Sequence, residues 1–289
     1  MTKLDQTVAG AQGARPAAGG GRRTTRRGGQ RRGPWAAWIF VLPALAVYGF
    51  FTLQSLAKSV QYSFYSWNGI GEATWVGLAN YVEVFSDPRR VTALANAFKL
   101  IFFYSFLSIA LGLIAATLIR GLNSRWSRAS QTLLFLPQVV PLVGAGIAWT
   151  WLYSSDGAIN QILSAVGLGS VTRAWLADFT FALPAIGIVG TWVLIGLCTM
   201  LLSAGMTKID PSLYDAARVD GAGPVREFFA VTLPGVRGEL TVCLTVTLIA
   251  ALANFDVVYT MTLGGPGGST MVPGVDIYQL DFNQARVGA

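Results

Sequence analysis

Five long apolar segments limit what this chain can fold into. They cover residues 35–53, 100–119, 132–153, 179–206 and 240–263, and the first four contain no charged residue. A helix needs about 20 apolar residues to cross the hydrocarbon core of a bilayer, because each residue adds about 1.5 Å. Each segment therefore predicts a membrane-spanning helix, and the only charge in the fifth is Asp256. The predicted fold class is all-α, a polytopic transmembrane helix bundle.

The basic residues indicate which side of the membrane each end of these segments faces. Residues 1–33 carry eight basic residues and one acidic residue, which accounts for the whole net charge of +7. This Gly/Arg-rich stretch has too few apolar residues to form a core, so it is predicted to be a disordered tail. With the tail in the cytoplasm, 15 of the 21 Lys and Arg residues lie on that side, as the positive-inside rule favours. We therefore expect a multi-pass membrane protein whose tail contacts anionic lipid rather than nucleic acid, followed by a membrane domain over residues 34–289.

Residue types that usually carry out catalysis or bind metals are scarce. The chain has no histidine and only two cysteines, Cys198 and Cys243, both inside predicted spans. This composition excludes histidine-dependent nucleophile pairs and predicts no metal site. No lysine follows a glycine, so the chain lacks the GxxxxGK[ST] pattern of a P-loop. We expect a protein that is not an enzyme and that binds no ATP or other cofactor of its own.

A polar stretch over residues 207–238 separates the fourth and fifth apolar segments. Asp210 suits the N-cap of a helix and Pro211 its first turn, so a helix should begin there and end near Gly221. A second short helix can start at Pro224. Connections between helices in bundles usually take about 2–8 residues, so this length predicts a docking site for a soluble partner. An amphipathic helix lying on the membrane surface is the alternative.

Small and charged residues are the candidate contacts of that polar stretch. Small side chains let another protein's backbone approach closely, and charges at the rim orient a partner. The small residues are Ala216, Ala217, Gly221 and Ala222, and the charged residues are Asp215, Arg218, Asp220 and Arg226.

Asp256 is the most conspicuous residue within the predicted spans. In a continuous fifth helix it would lie about 24 Å from the inner surface of a layer about 30 Å thick. A carboxylate at such a depth normally faces a cavity or a protein partner. Asn254 and Tyr259 accompany it and could contact hydroxyl groups and sugar rings in a solute pathway. Snorkelling to the outer surface, or a contact with another subunit, is the alternative.

The remaining candidates are residues that disturb regular helices. In the third segment such residues predict a gate or a seam between subunits, and ordinary packing of a kinked helix is the alternative; they are Pro137, Pro141 and Gly144. After the fifth segment, a Gly-rich loop predicts either a contact for an external binding protein or a plain turn; its residues are Gly264, Gly265 and Pro266.

The polar stretch resembles the EAA loop of the membrane subunits of bacterial ABC importers. That loop has the residues EAA, a glycine four positions later, and a hydrophobic residue followed by proline. The matching residues here are Asp215-Ala216-Ala217, Asp220-Gly221-Ala222 and Leu233-Pro234. Asp215 stands where glutamate is common, which keeps the charge and shortens the side chain by one methylene.

The resemblance extends over most of the chain beyond the tail. Residues 40–48, 75–85, 135–153 and 253–270 are similar to the permease subunits of maltose/glycerol-3-phosphate-type carbohydrate importers. It implies a bacterial inner-membrane permease that forms a sugar pathway with a second permease subunit. It also implies two cytoplasmic ATPases, which use ATP and Mg and grip the EAA loop, and an external solute-binding protein. The family usually has a sixth span, and this sequence stops where we would expect that span to begin.

Two other functions remain open from the residues alone. An ion-coupled secondary transporter would use Asp256 to bind a proton or cation. A membrane scaffold without a transported solute would use the polar stretch only to recruit a partner.

Overall fold

The computed structural model describes residues 34–286, and their side chains from residue 38 onward. The predicted tail, residues 1–33, lies outside the described residues. Most of the described chain is helical. Within it, one small antiparallel hairpin pairs Tyr65–Ser66 (β1) with Thr74–Trp75 (β2). The all-α prediction is confirmed.

The N-terminal helix belongs to a compact unit that ends at Ser55. Helix α1 (Pro34–Tyr48) leads through a π-helical turn, Gly49–Leu53, into α2 (Gln54–Tyr62). No residue of the most apolar stretch of this helix is buried within the chain, so this surface suits lipid or another subunit. The helix extends nine residues beyond the predicted span end because the sequence Gln54–Tyr62 contains neither glycine nor proline.

The second compact unit begins at Leu56, so it contains most of α2 and all the later helices. The longer ones are α4 (Pro88–Ile101), α5 (Ser108–Arg120), α6 (Ser124–Val139), α7 (Leu142–Leu152), α9 (Ala182–Met206) and α13 (Arg237–Leu252). The shorter ones are α3 (Ala79–Ser86), α8 (Ala158–Ala165), α10 (Pro211–Val219), α11 (Pro224–Glu227), α12 (Leu233–Gly235), α14 (Asp256–Thr262) and α15 (Pro273–Tyr278). Short π-helical turns continue α4, α11 and α15 over Phe102–Leu107, Phe228–Thr232 and Gln279–Asn283.

Helix α9 forms the centre of this unit, and 67% of its most apolar window is buried. Helices α5, α6 and α13 all contact it. The glycines of α9 allow this close packing: a Cβ at Gly190 would overlap the ring of Tyr104. Tyr104 lies in the π-helical turn Phe102–Leu107. Its ring therefore sits deep against the central helix.

The second predicted span begins earlier than expected. The continuous helix covers Pro88–Arg120, 33 residues, rather than residues 100–119. Asp87 caps this helix by accepting a hydrogen bond from the Arg89 N–H, and Pro88 suits its first turn. Hydropathy did not reveal these twelve additional residues because they include polar side chains that are buried, such as Asn96.

The third and fifth predicted spans are wrong as single helices. Helices α6 and α7 meet at an angle of 97°, because Pro141 lacks an N–H and Val140 is held in an extended conformation (ψ 129°). In the fifth segment, α13 ends at Leu252 and α14 begins at Asp256. Three helices of the described chain are long and apolar enough to span a membrane, or up to five if each bent pair counts as one span.

The contacts place the connecting segments at two opposite ends of α4 and α5. At one end, the guanidinium of Arg120, the last residue of α5, lies over the ring of Tyr214 in α10. At the other end, the side-chain amide of Asn96 donates to the carbonyls of Ser269 and Met271, at 2.9 and 3.0 Å. The polar stretch and the Gly-rich loop therefore lie on opposite sides of the helix bundle.

Candidate functional site

The polar stretch folds into a helical elbow, Asp210–Gly235, whose first helix begins where the sequence predicts. The Asp210 carboxylate accepts a hydrogen bond from the Ser212 N–H at 2.9 Å. This bond lowers the pKa of the Asp210 carboxyl, since it stabilises the charged form. Pro211 is the first residue of α10, where its missing N–H costs nothing.

Gly221 ends α10 with a left-handed backbone, at φ +76°. Its N–H bonds to the Arg218 carbonyl at 3.0 Å, and the Ala222 N–H bonds to the Ala217 carbonyl at 2.9 Å. These two bonds form a Schellman motif, which glycine favours because it has no Cβ. The chain then turns sharply into α11, so the glycine defines the angle of the elbow.

Arg218 holds the two helices of the elbow together. Its guanidinium lies 3.4 Å from the Asp215 carboxylate and 3.0 Å from that of Glu227 in α11. Asp215 keeps 73% of its side chain exposed, so its charge is open to a partner. Exposed pairs of this kind add little stability, but they fix the direction of the rim charges.

The elbow exposes an apolar surface beside these charges. Val219 is 87% exposed and Val225 is 71% exposed, so apolar side chains are accessible beside the rim charges. Of the predicted contact residues, Ala216, Asp220, Arg226 and Pro234 are exposed, whereas Ala217, Ala222 and Leu233 are half-buried. The structure thus brings the predicted residues onto one elbow, and Leu233-Pro234 lies beside the 71° bend between α12 and α13.

The second candidate site is a cavity of about 380 Å³ where two spans are interrupted. The junction of α6 and α7 forms one wall, and the break between α13 and α14 forms another. Helix α9 and Tyr104 complete the lining. Helices broken within a membrane protein commonly line a binding site, because the freed backbone groups need protein or water around them.

Three polar groups in this cavity lack a hydrogen-bond partner within the described chain. They are Tyr104 Oη, Gln138 Oε1 and Asn254 Nδ2, all buried. Tyr104 and Asn254 are neighbours, but their geometry does not form a hydrogen bond between the two side chains. A buried polar group left without a partner costs about 1–3 kcal/mol. A polar ligand would satisfy these groups.

The structure separates the three residues predicted around the fifth span. Asn254 and Asp256 line the cavity, whereas Tyr259 packs among aromatic rings, 5.0 Å from Phe255 and 5.2 Å from Tyr278. Asp256 is in the first turn of α14, after the helix break. The continuous helix from which its depth was predicted is interrupted before Asp256.

The helix-disturbing residues of the third segment also have distinct places. Pro137 is buried near the end of α6, and Pro141 lies at the bend into α7. Gly146 packs against Thr260 of α14, but a Cβ at Gly144 would meet no atom of this chain within 4 Å. Pro141 thus shapes the cavity wall, and Gly144 lies on a face with open space beside it.

The Gly-rich loop is more ordered than the sequence suggests. Gly264 is buried and does not belong to the exposed surface of the loop. The Thr270 hydroxyl donates to the Gly265 carbonyl at 2.6 Å. Gly265 and Pro266 are half-buried, and Gly267 is exposed. Only part of this loop offers a surface.

The sequence analysis missed Tyr104 and Gln138, which lie far from Asn254 in the chain. Gln138 carried a usable signal, since it is a polar amide between two prolines in an apolar segment. Tyr104 carried none, because tyrosine is common near membrane surfaces.

Interrupted spans around a partly polar cavity, together with an exposed elbow at one end of the bundle, define a membrane-spanning transport subunit. The chain matches the family of binding-protein-dependent transport system inner membrane components over residues 108–289 and belongs to it. It is a permease subunit of an ABC transporter, as the resemblance implied.

Two relatives support this assignment. The chain is 34% identical over 258 residues to the probable ABC transporter permease protein YurN of Bacillus subtilis (strain 168), covering 87% of each protein. It is 32% identical over 247 residues to the lactose transport system permease protein LacF of Rhizobium radiobacter, covering 85% of this chain and 83% of that protein.

The fold is similar to that of a subunit in the crystal structure of a bacterial alginate ABC transporter in complex with an alginate pentasaccharide-bound periplasmic protein. The TM-score is 0.74 at 22% identity, over 88% of this chain and 86% of that one. These relatives do not support the secondary transporter or the scaffold.

Proposed function

We propose that this chain forms half of the pathway through which an ABC importer takes up a neutral saccharide. The cavity between the two interrupted spans carries this proposal. Its volume of about 380 Å³ falls within the range of about 300–1,000 Å³ that is usual for small-molecule sites. The cavity contains both hydrogen-bond donors and acceptors, and sugar hydroxyls can bind to both because they donate and accept hydrogen bonds.

The charge of the cavity favours neutral solutes over acidic ones. Asp256 lines it, and its described lining contains no lysine or arginine. A carboxylate solute would meet a like charge in a medium of low dielectric, which is unfavourable. The lactose permease among the relatives supports a neutral sugar.

We also propose that the elbow is the docking site for the cytoplasmic ATPase subunits. Its exposed apolar side chains and fixed rim charges fit the centre and the rim of a protein interface. This end would face the cytoplasm, as the charge bias predicts, and the N-terminus with it. ATP and Mg would bind to the ATPases, not to this chain.

Two further partners complete the proposed assembly. A second permease subunit would cover faces such as that beside Gly144. The half-buried Gly265 and Pro266 and the exposed tip of the Gly-rich loop would face an external solute-binding protein. The family of binding-protein-dependent transport components to which the chain belongs supports the solute-binding protein as a partner.

Purification of the tagged full-length chain with its partners, followed by reconstitution into proteoliposomes, tests this proposal. Uptake of labelled neutral and uronic-acid oligosaccharides would be measured with ATP inside. Leucine is similar in size to glutamine and asparagine but has no hydrogen-bonding group. Gln138→Leu and Asn254→Leu should therefore each weaken the apparent solute affinity about fivefold, which corresponds to a net hydrogen-bond energy of about 1 kcal/mol. Asp256→Asn should admit acidic saccharides that the unmodified protein excludes.

Thr245→Val is the matched control. It also removes a polar group from the fifth segment, but the Thr245 hydroxyl already donates to the Thr241 carbonyl within α13. Unchanged affinity in Gln138→Leu and Asn254→Leu would refute the assignment of the cavity. Uptake that continues without an ATPase would refute the proposed function as a whole.

A further inference from the structure

Tyr214 is the one residue of α10 that is buried, at 2% exposure, on a helix whose other side chains are exposed or half-buried. A tyrosine in that place does not serve a docking surface, because no partner can reach it. It faces the bundle instead.

The Tyr214 ring lies beneath the end of the second span. The guanidinium carbon of Arg120, the last residue of α5, is 3.6 Å from the centroid of the ring. This is the geometry of a cation–π contact, which strengthens where water is excluded. Arg120 also occupies the last turn of its helix, where a positive charge interacts favourably with the helix dipole. Both interactions hold the guanidinium in one place.

The Tyr214 hydroxyl makes a second connection, to the segment that leads into the fifth span. Its oxygen lies 3.2 Å from the Thr232 hydroxyl, and both groups are buried. Thr232 is 3% exposed and ends the π-helical turn before α12. One side chain of the elbow thus touches the end of one span and the approach to another.

We infer that Tyr214 is the positioning residue through which the elbow moves both spans together. This inference rests on the proposed docking of the ATPase to the elbow, and it names the contact that transmits the motion. The exposed face of α10 would bind the ATPase, while the buried face would carry the displacement to α5 through Arg120 and to α13 through Thr232. Allosteric coupling requires such differential contacts between two states.

The other contact between the elbow region and α13 does not replace Tyr214. Lys208 pairs with Glu239 at 2.7 Å, but the Lys208 side chain is 72% exposed. Water and salt weaken an exposed pair of this kind. The hydrogen bond between Tyr214 and Thr232 is buried, and the Tyr214 ring that contacts Arg120 is 2% exposed, so Tyr214 offers a stiffer connection.

The test measures the number of solute molecules imported per ATP hydrolysed by the full complex in proteoliposomes. Tyr214→Phe and Thr232→Val each remove one hydroxyl with little change in shape, and Arg120→Gln removes the guanidinium. We expect each to lower this ratio about fivefold or more, with normal co-purification of the ATPase. The two hydroxyl variants should not be additive when combined, because they break the same hydrogen bond.

Arg125→Gln is the matched control, since Arg125 is an exposed arginine on the next helix, α6. It should leave the ratio unchanged. A normal ratio in all three variants, with the ATPase bound, would overturn the inference and leave the docking proposal intact. Failure of the unmodified chain to bind an ATPase through the elbow would overturn the docking proposal itself. Tyr214→Phe retains the ring, so it separates lost coupling from misfolding, which thermal melting would detect.

Discussion

Substitution of Gly221 tests whether the elbow depends on a left-handed backbone. A Cβ built on Gly221 meets no atom of this chain within 4 Å, yet φ is +76°. Gly221→Ala therefore introduces no clash within the chain, and its cost comes from the backbone alone. For an ordinary residue this left-handed conformation costs about 1–2 kcal/mol. That is close to the net value of the two capping hydrogen bonds, about 1 kcal/mol each.

The strain predicts a defined loss of affinity for the ATPase. An energy of about 1–2 kcal/mol lowers the ratio of native to non-native turn by a factor of about 5–30. If docking needs the native turn, the apparent affinity falls by up to the same factor. Gly221→Asn should recover most of this loss, since asparagine tolerates a left-handed backbone better than alanine does.

Equilibrium binding of the purified ATPase to the permease in nanodiscs would measure these affinities. Gly223→Ala is the control, because a Cβ there also meets open space but φ is −74°. It should bind nearly normally. Equal losses in Gly221→Ala and Gly221→Asn would refute the backbone argument and indicate instead that the partner approaches Gly221 too closely for any side chain.

Three further predictions concern the cap, the outer surface and the core. Asp210→Ala should speed amide exchange at Ser212 by removing the cap of α10, whereas Asp210→Asn should retain slow exchange. The hydrogen bond from Arg286 to Glu83, at 2.7 Å, lowers the pKa of Glu83. Its stabilisation is thus fully present above the unfolded pKa of about 4.3 and is lost as pH falls through the lower folded pKa. Relative to the intrinsic exchange rate at each pH, the protection of the amides in Gln279–Asn283 should therefore fall on acidification, and Glu83→Gln should abolish this pH dependence. Gly190→Ala should lower thermal stability by about 1–3 kcal/mol through overlap with Tyr104, while Gly144→Ala, which meets open space, should leave the melting temperature unchanged.

The elbow could be predicted from the sequence because its signals are local. Asp210, Pro211 and Gly221 act on backbone groups within five residues of themselves, and each has one dominant physical role. The bend at Pro141 had a signal as well, but length and hydropathy alone fit one straight span equally well. Apolar composition indicates which segments can lie in the membrane, but it does not indicate where the helices in those segments break.

The break at Ala253–Phe255 had no such local signal. The sequence there contains neither proline nor glycine, and the contacts that accompany the break come from elsewhere in the chain. A Cβ at Gly274 would lie 3.3 Å from Phe255, and the Phe255 ring packs 5.6 Å from that of Tyr278. The cavity could not be predicted for the same reason, since Tyr104, Gln138 and Asn254 meet only after the bundle has formed.

Helix α13 joins the two candidate sites. One residue, Val236, separates it from the elbow at a 71° bend, and it ends at the break that lines the cavity. Its 16 residues span about 24 Å. The helix contains no glycine or proline beyond its first turn, so no residue there would make it flexible. A rigid helix with a hinge at each end passes a displacement along its length instead of absorbing it. We therefore expect coupling along α13 to run from the Tyr214–Thr232 contact, just before its inner end, to Asn254, just after its outer end.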